Sequence, residues 1–196
     1  MRDLEIRGAG NLLGSQQSGH AHAVGYDLYL RWLNDAVKAL KGQAEGVVHP
    51  PPDVSFDGAA HLADGYISDD GAKLDFYRRL ARASEPGEIA TLREELRDRF
   101  GRLPVEADRL LTVCELRVLG AKVGLETVLV HGDEARLNFR AGAAPRLARL
   151  NAALDQVQFS AEVRRTTPLS LRLTRLGGIS IGPGLVRALT TAAGGS

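Results

Sequence analysis

Few residues of this chain have the types and spacing that catalysis or metal binding requires. His20 and His22 lie two apart, but no cysteine or carboxylate cluster lies near them, so the pair reads as surface loop rather than metal site. His49, His61 and His131 are scattered. Cys114, the single cysteine, falls on the apolar stripe of a helix with no basic residue placed to lower its pKa. It reads as a buried structural thiol. Asp69-Asp70 reads as a helix cap rather than a paired-carboxylate site. No G-x-x-x-x-G-K-[ST] occurs, so the chain has no P-loop. Gly8-Ala9-Gly10-Asn11-Leu12-Leu13-Gly14 approaches a dinucleotide loop, but its third glycine comes one place too late and no strand precedes it. The expectation is a chain with no catalytic residues and no metal ligands of its own.

The elements that would position any site follow from hydrophobic period and breakers. Residues 23–41 carry Val24, Leu28, Trp32, Leu33, Ala36, Val37 and Leu40 at helical spacing, with Gly42 as a stop. Pro50-Pro51-Pro52 favours a stiff, extended backbone. It sits in an acidic stretch, residues 43–68, with four acidic groups and no Lys or Arg. That composition predicts a linker over 43–68. Asp69 or Asp70 then caps a helix to about Arg82, and Ser84 caps another reaching Phe100, stopped by Gly101. Pro104 opens a third helix with the stripe Ala107, Leu110, Leu111, Cys114, Val118 and Ala121, closed by Gly124. Thr127–His131 and Ala135–Arg140 form a hairpin through Gly132-Asp133. Pro145–Leu154 reads as helix, Val157–Arg164 and Leu169–Thr174 as strands, and Pro183–Ala193 as a short last helix. Helices followed by antiparallel strands predict an α+β fold: a helical N-terminal segment and linker, then several helices packed on a small antiparallel sheet. The expected units are 1–42, the linker 43–68, and a terminal domain over 69–196.

Composition narrows the class. The 196 residues are 44% hydrophobic and 25% charged, with a formal net charge of +1. This is ordinary globular composition with no global pull toward nucleic acid or membrane. No apolar run approaches the ~20 residues of a membrane span. Met1 leads straight into Arg2-Asp3-Leu4-Glu5 without the apolar core of a signal peptide. A soluble, cytoplasmic protein without membrane partners is expected.

The segment from Arg2 through Arg7-Gly8-Ala9-Gly10 to Gln16-Gln17-Ser18-Gly19 resembles the translocation motif of superfamily 2 DNA translocases. Two families share that motif, the branched-DNA helicases of the RecG type and the transcription-repair coupling factors. The resemblance implies that Arg7, Gly8, Gly10 and Gln17 belong to a segment passing the nucleotide state of a motor to its DNA-gripping surface. Arg has a planar fork of donors and Gln both donates and accepts, which suits contacts that change between states. Three stretches favour the coupling factors: Val24-Gly25-Tyr26-Asp27-Leu28-Tyr29-Leu30, Leu74-Asp75-Phe76-Tyr77-Arg78-Arg79-Leu80-Ala81, and Leu92-Arg93-Glu94-Glu95-Leu96-Arg97-Asp98-Arg99-Phe100-Gly101 with Leu103-Pro104. The resemblance covers most of 1–124 and weakens beyond. Ser68 departs from it, since the family commonly has Pro there.

The resemblance implies the C-terminal end of such a factor: the tail of the second motor lobe and a terminal regulatory domain. In the family that domain is an autoinhibitory clamp on an excinuclease-B-like module of the same protein. Glu95, Asp98 and Arg99 match its docking residues, and their i, i+3, i+4 spacing puts them on one helix face. ATP and Mg would bind upstream of this chain. Double-stranded DNA, RNA polymerase and excinuclease A would be partners of the full-length protein. A competing expectation is an Arg-rich nucleic-acid-binding module, because residues 125–196 carry nine Arg against five acidic groups. Arg146, Arg149, Arg164, Arg165, Arg172 and Arg175 would form its patch. Phe139 and Phe159 are its only aromatic residues, too few for a base-stacking platform.

Overall fold

The computed structural model describes residues 49–143, 145 and 147–194. The translocation-motif residues Arg7, Gly8, Gly10 and Gln17, and the helix expected over 23–41, lie outside the described residues, as does Arg146. The element order is β1 (Asp53–Phe56), α1 (Asp70–Arg82), α2 (Pro86–Phe100), α3 (Val105–Val123), β2 (Leu125–His131), β3 (Glu134–Phe139), α4 (Leu147–Gln156), β4 (Phe159–Thr166), β5 (Leu169–Arg175) and α5 (Ile181–Ala193). The fold is α+β, with a five-stranded sheet in the order β1-β2-β3-β5-β4.

Three expectations need correction. The sheet is mixed, because β1 pairs parallel with β2, Val54 opposite Val128 and Phe56 opposite Val130. The second half of the expected linker is therefore a folded part of the domain: β1 lies within it, and Leu62 and Ile67 are buried in the core. The acidic, Pro-rich composition of 43–68 hid a strand of only four residues whose partner lies some seventy positions away. Ser84 is not the cap of α2. Glu85 holds that position without a side-chain capping bond, and the Ser84 N–H instead donates to the Glu88 carboxylate at 2.8 Å. That bond ties the residue before the cap to the first turn of the helix.

Two apolar clusters form the core of the described residues, and α3 belongs to both. Phe76 and Leu80 of α1, Ile89, Leu92 and Leu96 of α2, and Leu62 and Ile67 pack on the first half of α3 at Ala107, Leu110, Leu111 and Cys114. Leu116 and Leu119, from the second half of α3, join the inner face of the sheet with α4 and α5. Two glycines permit close approach near the end of α3. A Cβ on Gly120 would lie 2.6 Å from Pro52 Cγ, and Gly124 ends the helix at φ 76°. The alternation of β2 and β3 sends Val128, Val130, Ala135, Leu137 and Phe139 inward. On the other face Asn138 donates to Thr127 Oγ1 at 2.6 Å and accepts from Ser170 Oγ at 2.7 Å, a ladder across three strands.

Candidate docking site

The charged flank of α2 is built by the same period that builds its core face. Ile89, Leu92 and Leu96 are buried, so Glu95, Asp98 and Arg99 are carried to the side and outward. On α1, Phe76 and Leu80 are buried, which turns Arg79 toward α2. Arg79 meets Glu95 as a bidentate fork, with Nη1 donating to Oε1 at 3.0 Å and Nη2 to Oε2 at 2.5 Å. Arg99 adds a third bond, Nη1 to Glu95 Oε1 at 2.8 Å, and Asp75 lies 3.6 Å from Arg79. The donated bonds from Arg79, then from Arg99, hold the Glu95 carboxyl below the usual carboxylate range.

Aromatic rings set the height of both guanidinium groups. Arg79 and Arg99 lie 5.4 and 5.3 Å from the centroid of the buried Phe76 ring, and Arg99 is 5.1 Å from that of Phe100. Phe100 packs edge-on against Phe76 and Tyr66. The Tyr66 hydroxyl faces the Leu96 and Gly101 carbonyls at 2.9 and 3.1 Å and closes the end of α2. Glu95, Asp98 and Arg99 thus share one flank, as their spacing predicts, but they are not equivalent. Glu95 is engaged by two arginines and its side chain is 27% exposed. Asp98 is exposed and makes no ion pair or hydrogen bond among the described residues. Sequence reasoning named Arg79 only within the Leu74–Ala81 stretch and missed its pairing with Glu95.

A second polar cluster, also missed, pins α2 to α3. Arg93 bonds Asp108 through Nη1 and Glu115 through Nη2, the latter at 3.0 Å. Burial pushes the Glu115 carboxyl up, and the Arg93 charge offsets this only in part. Burial also pushes the Cys114 thiol up to about 12, as suits an inert core thiol. Among the described residues no group of three metal-binding side chains occurs.

Among the described residues, most arginines of the expected patch are engaged rather than free. Arg172 is paired with Glu134 and Arg175 with Asp133. Arg164 is paired with Glu162, and Arg165 donates to the Pro168 carbonyl. Sequence counting could not reveal this, because Arg172 and Arg175 find partners that only the strand register supplies. No described helix is long and apolar enough to cross a membrane.

The class that the fold and the flank define is an α+β domain carrying a charged, partly exposed helix face. Comparison with known proteins makes it particular. Residues 56–150 match the TRCF domain. Transcription-repair-coupling factors of Mycobacterium bovis, Myxococcus xanthus and Bacillus subtilis are 44%, 40% and 37% identical over 138, 174 and 137 residues. Those alignments take in 65%, 85% and 70% of this chain but only 11%, 14% and 12% of the relatives. The fold is similar to the crystal structure of a C-terminal domain of transcription-repair coupling factor, with a TM-score of 0.60 and 20% identity over 74% of this chain and 90% of that one. The chain belongs to the transcription-repair coupling factor family and corresponds to its C-terminal region.

Proposed function

We propose that this chain is the regulatory end of an ATP-dependent DNA translocase of transcription-coupled repair. Its terminal domain acts as an autoinhibitory clamp on the excinuclease-B-like module of the same protein. The observation that carries this reading is the flank of α2, where Glu95, Asp98 and Arg99 gather while the opposite side of the helix is committed to the core. Polar contacts suit an interface that must open on cue, since they give specificity and rate more than tight binding. In this reading residues 1–42 couple ATP hydrolysis to DNA movement through Arg7, Gly8, Gly10 and Gln17. ATP and Mg bind upstream, and this segment catalyses nothing by itself. Double-stranded DNA, RNA polymerase and excinuclease A are partners of the whole, cytoplasmic protein.

The test is calorimetric titration of the 196-residue chain with the excinuclease-B-like module at two salt concentrations. Salt-sensitive binding that Asp98→Lys abolishes, with the circular dichroism spectrum unchanged, is the expected outcome. Absence of binding by a folded wild-type chain would overturn the clamp. Asp98 is the better probe than Glu95, because Glu95→Lys places a third cation between Arg79 and Arg99 and so perturbs the fold as well as the surface.

A further inference from the structure

Resting on the docking role proposed for the α2 flank, we infer that Arg79 is a positioning residue of the interface, and that Asp98 and Arg99 make the contact while Glu95 serves from behind. Each part of this division has a geometric basis. The Glu95 carboxylate receives three bonds from two arginines on two helices, at 3.0, 2.5 and 2.8 Å. A partner cation would have to displace one of those arginines to reach it with comparable geometry. Arg79 takes both carboxylate oxygens from the α1 side, which fixes the plane of the carboxylate. Arg99 receives that plane and rests over two rings, Phe76 and Phe100. Its side chain stays 48% exposed. Arg99 is thus a half-exposed cation held by one anion and two π-faces, beside an exposed carboxylate at Asp98 that has no partner among the described residues.

The ordered pair defines the complement. A surface that fits presents a carboxylate toward Arg99 and a cation toward Asp98 on neighbouring positions. Ordering Arg99 before docking lowers the side-chain entropy that binding would otherwise have to overcome. Arg79 supplies that ordering from a helix that need not touch the partner.

The experiment has two readouts on the full 196-residue chain. The first needs no partner: the heteronuclear NOE of the Arg99 Nε–Hε group. It is expected to be high in the wild type, to fall in Arg79→Gln, and to recover in part in Arg79→Lys. An unchanged Arg99 signal in a folded Arg79→Gln chain would overturn the inference, whatever the binding data say. The second is a double-mutant cycle in binding to the excinuclease-B-like module. Arg79→Gln is expected to weaken binding roughly fivefold to tenfold, and to add almost nothing in the Glu95→Gln background. Equal losses in both backgrounds would mean that Arg79 touches the partner itself, which also overturns the inference. If wild type fails to bind while Arg99 loosens in Arg79→Gln, the positioning role stands and the clamp reading falls.

Discussion

Glu95 is one carboxylate shared by two arginines, and its energetic worth follows from its exposure. The ion pairs are partly open to water, so screening leaves them about 0.5–1 kcal/mol together rather than several. Glu95→Gln should therefore lower the melting temperature by only roughly 3 °C at neutral pH. The carboxyl is held below its unfolded value, so this contribution is present above the unfolded pKa of ~4.3 and is lost as pH falls through the lower folded value. Melting curves of wild type and Glu95→Gln should converge in acid. Glu115 has the opposite sign. Burial raises its pKa, so its favourable balance is full below the unfolded value and is lost as pH rises through the folded one. Glu115→Gln should compare more favourably with wild type at pH 7 than at about pH 3.5 when both are melted at each pH. Cys114 should resist iodoacetamide at pH 8 in the folded chain and react after denaturation, followed by mass spectrometry.

Helices α1, α2 and α3 were legible because each carries a cap or a stop of its own. Asp69 accepts from the Ala72 N–H at 2.6 Å and starts α1, Gly101 ends α2 at φ 82°, and Gly124 ends α3. The β2–β3 hairpin was legible from Gly132-Asp133 between alternating runs. β1 was not, because four residues give too short a pattern and nothing local states a parallel partner across a long sequence gap. Glu95, Asp98 and Arg99 were legible as a face but not as a hierarchy. Spacing along α2 says which side chains share a side, while Arg79 arrives from α1 through tertiary packing. The close approach of Pro52 to Gly120 was equally invisible. Gly120→Ala should cost about 1–3 kcal/mol through that crowding, measured by urea denaturation, even though Ala is the better helix former.

At the scale of the molecule, α3 runs through both apolar clusters, with Ala107, Leu110, Leu111 and Cys114 in one and Leu116 and Leu119 in the other. Neither cluster can lose α3 without exposing the other. A single calorimetric transition is expected, with the slowest amide exchange in the middle of α3. The folded unit also begins earlier than composition suggests. A chain beginning at residue 69 loses β1, Leu62 and Ile67 together, and should melt far below one beginning at residue 49.

The parallel entry of β1 has a mechanical side. In a parallel pair the N-terminal ends of both strands lie at the same edge, here Asp53 beside Thr127. A load applied at residue 49 along the strand axis meets the β1–β2 bonds in shear, so they share the force instead of parting one after another. Pro52, wedged beside Gly120, sits at the loaded end. That geometry lets the attachment of the sheet to the preceding chain bear tension without unzipping.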